Sequence, residues 1–427
     1  MSLVPAMQRS SAASTATAAA AASLPDINTE TYPFEVVQGL LDQAAYFNFY
    51  STPDLSRFRP IPDPRNSSGI VGFQIGETIC RFSITMSPPS QERGFTSWTM
   101  VGEPVACFDH RWLFIPDNFA ALPGQDPPMV SFDPARPQRF VMLDSKFLLG
   151  RGKDGFRGFG TGSTYPATVN GRKQVLVGAV GTILEGLGRF AGHEGTYTYC
   201  GSISDKRGFM GNLLLRVVDP EATLVIKSDL QPLQPMADPE PAITYMLFRG
   251  QKRDRTQKTD YIFGPNNDIT GLNVHQQLRL MQIDCGNYGK EIASVARVGP
   301  VVGEMTAQIT FNLLNPGAPG TGIAPIPFKS YNTYKFLDRG GGEVGVIEAD
   351  GGEGRTFKLS LAGAPGQQAL RFGGFGPIRK GTGAFQGIEG FMSDNSVVGI
   401  APHALATLYV LRVHDPDSKY RTPSVIR

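Results

Sequence analysis

Cysteine is scarce in this chain of 427 residues: there are four, Cys80, Cys107, Cys200 and Cys285. They lie far apart and form no CxxC pair, which argues against a structural zinc site and for reduced, mostly buried thiols. Neither sign of charge is in excess, since 40 Lys and Arg against 38 Asp and Glu leave a net +2. Nothing in that balance calls for nucleic acid or an anionic surface, so a small apolar substrate or ligand is the simpler expectation. No apolar run reaches the roughly 18 residues of a membrane span. The five histidines, His110, His193, His275, His403 and His414, show no metal-ligand spacing. His193-Glu194 lacks the second histidine of an HExxH motif, and neither a Walker lysine nor a GxSxG elbow occurs. No metal and no cofactor are expected.

Glycine (50) and proline (33) are abundant instead, scattered between short apolar runs. That distribution favours many strands and turns over long helices. It also contains a repeat. Gly178 to Gly195 reads GAVGTILEGLGRFAGHEG, and Gly373 to Gly390 reads GGFGPIRKGTGAFQGIEG, with shared glycines, Ile183/Ile378, Phe190/Phe385 and Glu194/Glu389 at a constant offset of 195 residues. After one inserted residue the match resumes at Leu215–Pro220 and Leu411–Pro416. The chain is two copies of one unit. The expected domains are an Ala/Ser-rich disordered tail (1–30), a first unit (31–229), a Pro-rich linker (230–241) and a second unit (242–427).

Alanine makes a weak core for a secretory signal, so the tail is read as disordered and the protein as cytoplasmic. In Tyr32 to Ala45, apolar residues at Val37, Leu40, Leu41 and Ala44 recur at helical spacing and predict a helix across the unit or on its interdomain face. Short strands are predicted from Ile70 to Phe73, Ile79 to Met86 and Ser97 to Val101, then along most of the unit. The proline-rich stretch Ile115 to Pro137 reads as a lid or rim loop, and Leu230 to Pro241 as an extended, stiff linker. Seven or eight strands per unit suit closed antiparallel barrels, which leave no exposed edge; sandwiches are the alternative.

GxGxFxG invites a nucleotide-binding reading, but that fingerprint needs a helix after it, and strand-like residues follow both copies here. The glycines are better explained as letting a coiled strand bend and neighbouring side chains pass over it. Gly381 to Gly390 (GTGAFQGIEG), leading into a final hydrophobic strand, resembles the glycine-rich barrel strand of the allene oxide cyclase and dirigent superfamily. The likeness covers about 40 residues at the end of each unit. It implies an all-β chain of two tandem antiparallel, about eight-stranded barrels of allene oxide cyclase or calycin-like type. It further implies an apolar lumen in which a reactive substrate is cyclised or coupled without a cofactor.

Glu194 and Glu389 recur with Arg216 and Arg412, which predicts one Glu–Arg pair per unit. Period-two alternation through the motif sets Phe190, Gly192, Glu194 and Thr196 against Ala191, His193, Tyr197 and Tyr199. Positions that differ between copies are the functional candidates, since only one lumen need be active. In the first unit these are His193, Tyr197 and Tyr199, which could donate or relay a proton; Asp109 and His110, in CFDHRW, could supply the same chemistry. Cys285, Tyr288 and His403 are the comparable set in the second. The expected function is cofactor-independent cyclisation or isomerisation, pericyclic steps included, of a flexible apolar natural-product intermediate. The alternative is a lipophile carrier without catalysis. A homodimer is left open.

Overall fold

The apolar runs of the sequence join into longer strands than their glycines suggest. Ile70 to Phe73 and Ile79 to Met86 belong to a single strand of 21 residues, because Gly76 continues the pairing instead of ending it. A computed structural model describes residues 33–421 apart from 118, 120–123, 125, 151, 170–171, 205–207, 220, 225–231, 253–259, 266–268, 289–290, 312–325, 352–353, 361–367 and 400–403. The tail expected over 1–30 lies outside the described residues.

The first unit contains β1 (Ala44–Pro53), β2 (Arg59–Asp63), β3 (Asn66–Met86), β4 (Ser97–Ile115), β5 (Gln138–Leu149), β6 (Asp154–Val169), β7 (Arg172–Leu187), β8 (Gly195–Ser204) and β9 (Gly208–Val218). Consecutive strands from β3 to β9 pair antiparallel, and β1 closes the ring by pairing with both β9 and β3. β2 is a hairpin arm on β3. The second unit contains β10 (Ile243–Gln251), β11 (Asp260–Phe263), β12 (Ile269–Tyr288), β13 (Glu291–Phe311), β14 (Ile326–Leu337), β15 (Glu343–Asp350), β16 (Gly354–Ser360), β17 (Gln368–Gly373), β18 (Phe375–Gly381), β19 (Glu389–Gly399) and β20 (Leu405–His414). It closes through β10, β12, β13 and β14, then through β15–β18 and β16–β17 side by side, to β19 and β20. The protein is all-β, two closed eight-stranded antiparallel barrels in tandem.

Alternation along each strand sends one set of side chains into its barrel and the other outward. In β1, Phe47 and Phe49 enter the first lumen, while Tyr46 and Tyr50 join Phe82, Tyr245, Leu247 and Val410 in an apolar layer between the barrels. The predicted helix forms as α1 (Phe34–Asp42). It precedes the first barrel but packs on the second, burying Val37 and Leu41 against Ala369, Val397 and Ala406. Gln38 fixes it by bonding both the N–H and the carbonyl of Leu405. Part of the proline-rich loop closes the rim of the first barrel, where Phe132 stacks on Phe114 at 4.6 Å.

The duplicated motif does two jobs. Its front lies at the barrel–barrel contact, where a methyl group added at Gly178 would stand 2.4 Å from the Phe375 ring, and one at Gly373 2.4 Å from Val180. Its rear makes a tight 3₁₀ turn, Gly188–Phe190 and Gly383–Phe385, opened by Gly188 and Gly383 and followed by Gly192 and Gly387, all four with positive φ. Residues 188–194 are therefore turn and not strand, so the expected alternation starts only at Gly195.

The expected Glu–Arg pairs do not form. Arg216 and Arg412 point outward from β9 and β20 into the contact between barrels, whereas Glu194 is exposed at the end of the turn and Glu389 is exposed at the first position of β19. Arg216 donates to the carbonyls of Ala406 and Leu41, Arg412 pairs with Glu240, and Glu194 stands 3.5 Å from Arg371 of the other barrel. The Glu194 side chain is 52% exposed, so Glu194→Gln is expected to change the unfolding free energy by less than about 1 kcal/mol in urea titration. A loss above that would mean that Arg371 depends on this partner.

The described part of the linker is anchored and not a free spacer. The Met236 N–H bonds the Val101 carbonyl, the Gln234 N–H bonds Glu103, and Leu233 covers Gly102. Its far end delivers Glu240 into the contact between barrels.

Candidate functional site in the first barrel

Neighbours on a strand point to opposite sides, so only one of Asp109 and His110 can face the lumen, and His110 is in step with the lumen residues Phe108, Trp112 and Phe114. His110 lies opposite Ile75, and Phe108 opposite Glu77, so His110 and Glu77 are diagonal neighbours inside the barrel. Both are fully buried, with His110 Nε2 3.7 Å from Glu77 Oε2. Ser51, on β1, donates to Glu77 Oε1 at 2.6 Å. Asp109 points outward and pairs with Arg57 at 2.6 Å, separated from the lumen group by the sheet itself.

Tyr197 and Tyr199 also enter the lumen, from β8. Tyr197 fits because glycines leave it space: a methyl group at Gly181 would lie 2.0 Å from its ring. Its hydroxyl donates to Ser145 Oγ at 3.3 Å. Tyr199 stacks on Phe209 at 4.2 Å, and its hydroxyl is near enough to Glu77 to draw that carboxyl's pKa down without completing a well-formed hydrogen bond. His110 is held between rings, stacked on Trp112 and edge-on to Phe108. The expected His193 is elsewhere. It sits on the turn before β8, where Nε2 is 3.1 Å from Thr223 Oγ1 and 3.5 Å from Asp219, an arrangement that ties down the loop after β9.

The lumen is electrostatically unusual. Burial pushes the Glu77 carboxyl up to about 8, and the Asp109 carboxylate adds to this, while Ser51 and Tyr199 partly oppose it. Burial alone brings His110 down to about 3. At neutral pH the pair is thus a protonated carboxylic acid beside a neutral imidazole, a donor and an acceptor without net charge. Five buried atoms in this cluster have no hydrogen-bond partner among the described residues: Glu77 Oε2, both ring nitrogens of His110, Trp112 Nε1 and the Tyr199 hydroxyl oxygen. Each desolvated group without a partner costs about 1–3 kcal/mol.

Sequence reasoning missed Glu77. Alternation with Phe73, Ile75 and Ile79 puts it on the lumen face of β3, but a single acid in an apolar row gives no sign of the partners it finds. Ser51 gave no signal either.

The second lumen differs. Asp394 is buried there and pushed up to about 7 by desolvation, with Ser396 Oγ at 2.8 Å and the Gly374 N–H at 2.6 Å partly opposing. It lines a cavity of about 20 Å³ with Gln276, Asn332 and Tyr409, enough for one water. No histidine enters it among the described residues: His275 is exposed and His414 half-buried. Cys285 lies between the barrels, donating to the Asn48 carbonyl. His403 and the Tyr288 side chain lie outside the described residues. Among those described, no three His, Cys, Asp or Glu side chains gather as a metal site, and no helix is long and apolar enough to cross a membrane.

Fold and site together define a double-barrel protein with a neutral acid–imidazole pair enclosed by aromatic rings. Compared with family models, curated proteins and solved structures, the chain matches none.

Proposed function

We propose that the first barrel is a cofactor-independent isomerase or cyclase acting on a flexible apolar intermediate of natural-product biosynthesis. The observation that carries the reading is the set of five polar atoms around Glu77 and His110 that have no hydrogen-bond partner among the described residues. Buried polar groups call for a partner, and a polar substrate group entering this cluster would supply one. Protonated Glu77 can donate to a substrate carbonyl or enol, and neutral His110, which burial keeps unprotonated, can accept a hydrogen bond from a substrate hydroxyl and orient it. Aromatic walls would hold the chain folded, and near-attack geometry can contribute about 7–11 kcal/mol in favourable cases. The glycine-rich closing strands and the two barrels are in keeping with the allene oxide cyclase and dirigent superfamily, and we extend the proposal to that kinship. On this reading the second barrel is the supporting partner.

The test uses extract from native cells lacking the gene, incubated with purified protein and profiled by liquid chromatography and mass spectrometry. Wild type should convert one metabolite into an isomer of equal mass and different retention. Glu77→Gln should slow this by about 10²–10⁴-fold, and His110→Phe, which removes an orienting acceptor, by a smaller factor. No equal-mass conversion, or undiminished rates in both folded variants, would overturn the proposal. The carrier alternative draws on the same aromatic lining, and it predicts a lipophile that stays bound and unchanged in native mass spectrometry.

A further inference from the structure

On its outer face the wall of the first barrel is broken at one level by two extra residues. β5 passes from Ser145↔Gly158 to Met142↔Gly160, so Leu143 and Asp144 together oppose Phe159. β7 passes from Arg157↔Glu185 to Gly158↔Ile183, leaving Leu184 unpaired in the ladder. Asp144 takes φ 53°, a left-handed conformation rare for a residue with a side chain. Bulges of this kind re-aim side chains and concentrate beside functional sites. Here both bend their strands around one pocket of about 470 Å³, within the range of small-molecule sites.

The lining has two characters. Leu143, Phe159 and Leu184 give an apolar side, and Leu184 is 44% exposed, unusual for so large a side chain beside a pocket. Arg111, Lys146 and Arg157 give a cationic side, against Asp126 and Asp144, so three positive charges face two negative ones and the lining carries +1. The cations are incompletely paired. Arg111 Nη2 meets Asp144 at 3.1 Å, but its buried Nε has no hydrogen-bond partner among the described residues, and Arg157 is 3.4 Å from Glu185. Ser145, almost fully buried, lines the pocket and accepts the Tyr197 hydroxyl.

We propose that this pocket binds a small amphipathic carboxylate. The anionic head is taken by Arg111, Arg157 and Lys146, and the apolar body lies over Leu184 and Phe159. The site is on the outside of the barrel and does not depend on any chemistry in the lumen.

The full chain is titrated by isothermal calorimetry with 2-naphthoate and, separately, with its uncharged isostere 2-naphthamide. Saturable one-site binding of 2-naphthoate is expected, about tenfold tighter than the amide and weakening as salt rises. Leu184→Asp, at an exposed position, should weaken it by about tenfold through the introduced like charge, and Arg157→Gln by about fivefold. Melting curves of both variants should match wild type, so that lost binding reports the pocket. No saturable heat, equal affinity for the amide, or unchanged affinity in both variants would each overturn the assignment.

Discussion

Glu240→Ala is expected to lower the unfolding free energy by about 3–5 kcal/mol. Glu240 is buried between the barrels, where it accepts from Tyr50 at 2.8 Å and Tyr245 at 2.9 Å and pairs with Arg412. Burial works against the Arg412 charge, but attraction to Glu240 outweighs it and holds the guanidinium far above its ordinary pKa. Removing the carboxylate strands a buried cation from the second barrel and two phenols, one from each barrel. The loss should fall on the coupling between barrels, so urea unfolding that is one transition in wild type should separate into two. Glu240→Gln, which keeps an acceptor for the phenols, should cost less. A single unshifted transition in Glu240→Ala would show that the apolar layer around Phe82 and Tyr245 suffices alone.

The second large effect is a dependence on pH. Glu77 and Asp394 have folded pKa values raised to about 8 and about 7 from ordinary values of 4.5 and 3.8. Between the ordinary and the raised value the folded chain keeps a proton that the unfolded chain has released, so stability falls as pH rises through that interval. His110 acts in the opposite sense. Its value is lowered to about 3 from 6.5, so the unfolded chain binds the extra proton and stability rises with pH until 6.5. The effects oppose one another in acid. From pH 6.5 to 8 the His110 contribution fades and the carboxyls dominate, with the Lys252 ammonium, brought down to about 8 by burial, opposing them only from about pH 8. Wild type should lose about 2 kcal/mol to Glu77 across that window, at 1.36 kcal/mol per pH unit. Glu77→Gln should flatten the decline above pH 7, leaving the variant more stable than wild type at pH 8.5. Thermal unfolding at half-unit pH steps measures this, and parallel curves for the two proteins would mean that Glu77 is already ionised in the folded state.

The repeat, the barrels and the helix over Phe34–Asp42 were legible in the sequence, because each rests on local periodicity or on identities in register. The site was legible only by halves. Tyr197 and Tyr199 are two apart on one strand and so necessarily share a face. Asp109 and His110 are adjacent and necessarily do not, and the row Phe108, His110, Trp112, Phe114 already marks His110 as the inward one, although its partner Glu77 on β3 is a long-range contact. His193 misled because the glycines around it make a turn with positive φ where alternation assumed a strand. The Glu–Arg pairing failed for a related reason: a repeat reports equivalence between copies, not which partner each side chain finds. Glu240, the acid that Arg412 does find, lies in a proline-rich segment whose composition suggests only a spacer.

The reciprocal packing of Gly178 on Phe375 and Gly373 on Val180 bears on how the molecule was assembled. Val180 and Phe375 are the same position in the two copies, as are the glycines, so each copy offers the other the surface it receives. Two separate chains related by a two-fold axis would meet in this way. Joined in one polypeptide, the halves are held at an effective concentration on the order of millimolar whatever the protein's abundance. Each half is also free to change without its twin changing with it. One could keep a paired acid and imidazole while the other kept a lone carboxyl, a division of labour closed to any assembly built from identical subunits.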